Sequence, residues 1–72
     1  MLTNDQLRQR LNALPQKLSE VARRAGLPLK TVYRIAHGTN RPRIDTAERV
    51  YAALRAVEDI EKAKALLERE AA

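Results

Sequence analysis

LSEVARRAGLPLKTVYRIAH, residues Leu18 to His37, is the stretch of this chain on which the fold depends. Leu18, Val21, Ala22 and Ala25 recur at threes and fours, which places them on one helix face, while Lys17, Glu20, Arg23 and Arg24 take the other. This predicts a helix from about Gln16 to Ala25. Gly26 should stop it, because a glycine just past the last turn takes the left-handed conformation that lets the chain reverse. Pro28 presets a new helix start. Val32, Ile35 and Ala36 then give a second, short apolar face over about Leu29 to His37, closed by Gly38. Two short helices therefore meet across a tight turn. Ala22 has to be small where the second helix crosses it, and Val21, Leu27, Val32 and Ile35 fill the angle between the two.

Upstream, Thr3 with Gln6 three residues on reads as a capping box, and Leu2 and Leu7 sit where a hydrophobic staple would form. Leu7, Leu11 and Leu14 make a helical stripe, and Pro15 disfavours helix through Leu14, so the first helix should end near Ala13. Downstream, Thr39 to Arg43 is a polar loop held by Pro42. Asp45 and Glu48 offer another capping box, and neither glycine nor proline interrupts the chain from Ile44 onward. Val50, Leu54, Val57, Ile60, Ala63 and Leu67 continue the period, as one long helix or as two with a bend near Glu58. The only glycines are Gly26 and Gly38, the only aromatics Tyr33 and Tyr51, and alternating β-branched runs are absent. The expected fold is all-α, four to five helices in one domain over residues 1–72.

A chain of 72 residues is too short to divide into two cores, and domains of this size seldom reach more than about 3 to 5 kcal/mol from burial alone. Without cysteine it has neither disulfides nor thiolate metal sites, and the lone His37 makes no metal cluster. Oligomerisation is the staple that remains. The charged start, with Asp5, Arg8 and Arg10, fits neither a signal peptide nor a membrane span, so a soluble, cytoplasmic protein is expected. The net charge of +5 is unevenly placed: residues 15–43 hold seven basic groups against Glu20 alone, a net of +6. Residues 44–72 hold five basic and seven acidic groups, a net of −2. A basic stripe confined to one region is the footprint of a polyanionic partner, or more plainly a solvated basic surface.

The segment Leu18 to His37, with GTNRPRI after it, resembles the helix-turn-helix of the phage repressor and Cro-like family, over residues 16–54. AGLPLKTVYR and TAERVYAAL are also similar to the headpiece of the lactose-repressor family, which begins with its motif and continues into a hinge and a sensor domain. A full helix precedes the motif here, so the phage-type likeness is the closer one. It implies a lambda-repressor-like domain that binds double-stranded DNA in a bacterial or phage-infected cell, as a transcriptional regulator that represses as a homodimer on a palindromic operator. It further implies base contacts from the first two residues of the second motif helix and one near its middle, Leu29, Lys30 and Arg34. A polar Gln often stands in that family where Leu18 stands here, which removes one phosphate contact.

The residues themselves give a matching stripe. With Val32, Ile35 and Ala36 inward, Lys30, Tyr33, Arg34 and His37 face outward at helical spacing. A major groove about 12 Å wide admits one helix, and Arg34 first, then Lys30, would pair with guanine O6 and N7. Leu29 either touches a thymine methyl or packs on the core; Tyr33 stacks, reaches a phosphate, or is simply exposed. Lys17, Thr31, Asn40, Arg41 and Arg43 flank the helix as backbone contacts. By the resemblance, Arg43 would turn toward a narrow minor groove between half-sites.

Half-sites about 34 Å apart require two recognition helices, and one chain supplies one. The apolar positions Val57, Ile60, Ala63, Leu66 and Leu67, in a segment of about 55–70, are expected to form an isologous homodimer interface, the alternative being that they fold back on the first helix. No catalytic residues, metal site or cofactor are legible, and an enzyme is not expected. The rival reading is a helical interaction module, such as an antitoxin binding a toxin and regulating its own gene. A membrane binder is disfavoured by the glycine-broken motif without Trp or Phe.

Overall fold

The cap at Thr3 forms as the residue types dictate. Its hydroxyl accepts from the Gln6 N–H at 3.1 Å, and the Gln6 side-chain oxygen accepts from the Thr3 N–H at 3.0 Å. This opens α1 (Asn4–Asn12) in a computed structural model that describes residues 3–39 and 41–71. Leu2, half of the expected staple, lies outside the described residues. Helix α1 gives way at Ala13, and Pro15 to Lys17 form a single 3-10 turn in which the Lys17 N–H donates to the Leu14 carbonyl at 3.0 Å. Helix α2 (Leu18–Ala25) therefore begins two residues later than Gln16. The proline keeps Leu14 out of the helical region, at φ −127° and ψ 58°, and the chain uses the tighter turn to reorient before an α-helix can start.

Gly26 takes φ +69° and Gly38 φ +77°. At both turns the residue after the glycine donates back across the helix end, Leu27 to the Ala22 carbonyl and Thr39 to the Arg34 carbonyl, each at 3.0 Å. These bonds satisfy carbonyls that a helix end otherwise leaves unpaired. Between them runs α3 (Leu29–His37), with Pro28 in extended conformation as its N-cap.

The last element, α4 (Ile44–Ala71), is one unbroken helix of 28 residues, not two. No residue in it relieves helical geometry, and Glu58 is carried on the side turned to α1 rather than at a bend. Its expected capping box is displaced: the helix starts at Ile44, the Ala47 N–H bonds to the Arg43 carbonyl at 2.8 Å, and Asp45 lies inside the first turn. There its charge still suits the positive end of the helix dipole.

The core is a single apolar cluster in which Leu11, Val21, Val32, Val50, Leu54 and Val57 are fully buried. Leu7, Leu18, Ala22, Ala25, Ile35, Ala36 and Ala53 complete it, and Leu14, Leu27, Leu29, Ala47 and Tyr51 close its edges. The most extensive packing is of α2 on α4 and of α2 on α3. Polar ties join α1 to two other helices. Asn12 donates to the Ala36 carbonyl at 2.9 Å, linking α1 to α3, and Arg10 forms a two-point ion pair with Glu58 while lying 5.4 Å over the Tyr51 ring. The bond to Glu58 is the chief cause of a raised Arg10 pKa. Among the described residues there is no strand, and no helix is long and apolar enough to cross a membrane.

Candidate nucleic-acid interface

Helix α3 is held on one side only. Val32, Ile35 and Ala36 press against α1 and α2, and this rigid seating turns Lys30, Tyr33, Arg34 and His37 to solvent as one outward stripe. The Tyr33 and His37 rings stand 6.4 Å apart, so the pair forms a shelf along the exposed face. Thr31 is half-buried beside it. Leu29 is half-buried and packs against the core cluster, so its side chain follows the core reading of the two left open.

The charges around this face are not matched by carboxylates. Among the described residues, Lys30, Arg34, Arg41 and Arg43 take part in no ion pair. Arg41 and Arg43 lie exposed in the loop after α3; Asn40, grouped with them from the sequence, lies outside the described residues. On α2 the pattern differs. Glu20 accepts from Arg23 and, at 2.8 Å, from Arg24, and these bonds, Arg23 first, hold its carboxyl below the ordinary value. Glu20 thus offsets part of the charge on α2, while the cations of α3 and its following loop have no such partner among the described residues.

Two expected positions are placed otherwise. Lys17 reaches across to α4, its ammonium 3.3 Å from Glu61, so it is already paired with an anion of its own chain. Val57 is 2% exposed and belongs to the chain's own core, which removes it from any outer surface. Its register explains this: Val57 follows Val50 and Leu54 on the face α4 turns to α2. Ile60 is half-buried, whereas Ala63, Leu66 and Leu67 are exposed, and residues 62–70 of α4 lie exposed rather than folded back on α1.

Sequence reasoning missed Arg8. Its guanidinium nitrogen lies 2.8 Å from where a Cβ on Gly38 would be, which sets this cation at the C-terminal end of α3, with Asp5 at 3.7 Å on its other side. The Asn12 and Arg10 ties were missed as well; partners 24 and 48 residues apart leave no periodic signal. Comparison with protein-family models, with curated proteins and with solved structures finds no match in any of the three.

Proposed function

We propose that this chain is a sequence-specific double-stranded-DNA-binding regulator, working as a homodimer that lays α3 of each copy in the major groove. The observation that carries the reading is the outward stripe of α3, Lys30, Tyr33 and Arg34, on a helix clamped from behind, continuous with the unpaired Arg41 and Arg43. A rigid helix with free donors is what base-edge recognition requires, and loop cations beside it are placed to hold phosphates. In this reading Arg34 and Lys30 contact bases, Tyr33 stacks or bonds beside them, and Thr31, Arg41, Arg43 and Arg8 hold the backbone. Leu29 supports the helix from the core side.

A second reading, a module that binds another protein, is favoured by a different feature. An apolar hollow of about 300 Å³ lies between the starts of α1 and α4, lined by Leu7, Pro42, Ala47, Tyr51 and Ile44, the last 68% exposed.

The test is selection of bound duplexes from a random library at two salt concentrations, with Arg34→Ala alongside. A palindromic site recovered by the native chain and lost by the variant supports the first reading. Sequence-blind, salt-sensitive binding alone overturns it and favours the second.

A further inference from the structure

Helix α4 outruns the body it packs against. Its first half sends Val50, Ala53, Leu54 and Val57 into the core, but residues 62–70 are all exposed, and Leu66 and Leu67 are 57% and 65% exposed. A helical end of this length has little stability of its own in water, since short isolated helices are marginal. Helical spacing sets Leu67 in line with Ala63, Ile60, Ala56 and Ala52, along a flank of α4 beside the core face. The ends of that line are charged: Arg49 lies one turn before Ala52 and Glu70 one turn after Leu67. Among the described residues neither takes part in an ion pair.

We propose that two copies of the chain pair through this flank with their fourth helices antiparallel, the two-fold axis passing near Ile60. The inference rests on the homodimer part of the reading above and is independent of DNA. Charge selects the direction. A parallel pair sets Arg49 against Arg49 and Glu70 against Glu70, whereas an antiparallel pair centred near Ile60 sets Arg49 against the partner copy's glutamate at both ends. Size selects it too. The antiparallel register lays Leu67 on the exposed Ala52 of the second copy, large against small, and Ala56 on its Ala63. In the parallel register leucine meets leucine at one end and alanine meets alanine at the other, which wedges the helices apart.

The chain has no cysteine, so single cysteines report the geometry cleanly. Full-length Ala52→Cys and Leu67→Cys are mixed and oxidised under mild conditions, with sedimentation equilibrium of the native chain alongside. A dimer whose disulfide joins the two different variants is expected. A monomer at every concentration overturns both the homodimer and this inference; a dimer that cross-links only Leu67→Cys to itself overturns the antiparallel geometry and leaves the homodimer standing. Arg49→Glu should weaken dimerisation about tenfold, from the loss of two rim ion pairs. Arg49→Glu with Glu70→Arg should restore it, far-UV circular dichroism confirming that each variant is folded. No restoration overturns the charge pairing on which the direction was argued.

Discussion

Replacing Gly26 by alanine tests the turn on which the motif depends. At φ +69° an L side chain costs about 1 to 2 kcal/mol, and the stiffer unfolded chain gives back about 0.4 to 1, so the net loss is about 1 kcal/mol. Space adds nothing, because the nearest atom to the new Cβ is a guanidinium nitrogen of Arg49 at 3.9 Å. For a domain of this size the melting temperature should fall by about 4 to 8 °C. Gly38→Ala meets the same backbone cost and also places its Cβ 2.8 Å from Arg8 Nη1 and 3.3 Å from Arg8 Cδ. That side chain is long, partly exposed and, among the described residues, tied only to Asp5 at 3.7 Å, a weak contact, so it should swing aside. The two variants are therefore expected to lose nearly the same stability, and asparagine at either position should lose less than alanine. Urea unfolding followed by circular dichroism measures each, with Arg8→Ala completing a double-mutant cycle against Gly38→Ala. A neutral or stabilising Gly26→Ala refutes the left-handed turn. A much larger loss at Gly38, relieved by Arg8→Ala, refutes the idea that Arg8 is free to move.

Arg34→Ala should cost about 1 to 3 kcal/mol of discrimination at one base pair, roughly 5- to 150-fold, whereas Arg41→Ala should weaken binding to all sequences alike and lower the salt slope by about one; fluorescence anisotropy across a salt series separates the two. The Glu20 carboxyl should titrate below its ordinary 4.5, and Arg23→Ala should move it back further than Arg24→Ala, as read by NMR. Because the folded value is the lower one, the small stabilisation involved is present above the ordinary value and fades as pH falls through the folded one.

What the sequence made legible was periodic or adjacent. The stripe Leu18, Val21, Ala22, Ala25, the stops at Gly26 and Gly38 and the box at Thr3 and Gln6 are each settled within a turn or two of chain, and the structure has them all. The 3-10 turn at Pro15 to Lys17 was not legible, because proline at the first position of a helix and proline in a tighter turn look alike until packing chooses. Val57 shows a second limit. Its spacing fits a face continuous with Ile60 and Leu67, but where the core ends along α4 depends on how far α2 extends beside it, a tertiary length that no local pattern carries. Of the candidate site, the outward positions of Lys30, Tyr33 and Arg34 follow from period alone. The placing of Arg8 beside α3 needed the crossing of α1.

Lys17 bears on how the basic face is tuned. Its ammonium shares Glu61 with Lys64, which stands 3.8 Å from the same carboxylate oxygen. Both partners are about one-third exposed, so the pair contributes no more than about 1 kcal/mol, and an arriving phosphate can compete for the lysine. If Lys17 holds the DNA backbone at the start of α2, Glu61 opposes binding by occupying it. Glu61→Gln should then tighten DNA binding by about two- to fivefold at low salt. Glu68→Gln, which changes the net charge equally from an exposed site seven residues on, should have a smaller effect, and Lys17→Ala should abolish the gain. Glu61 lies on the core side of α4, away from the flank carrying Ala52, Ala56 and Leu67, so dimerisation should not respond. Equal gains from Glu61→Gln and Glu68→Gln would show that only net charge is felt. Lys17 would then belong to the tie between the 3-10 turn and α4, and not to the DNA-binding face.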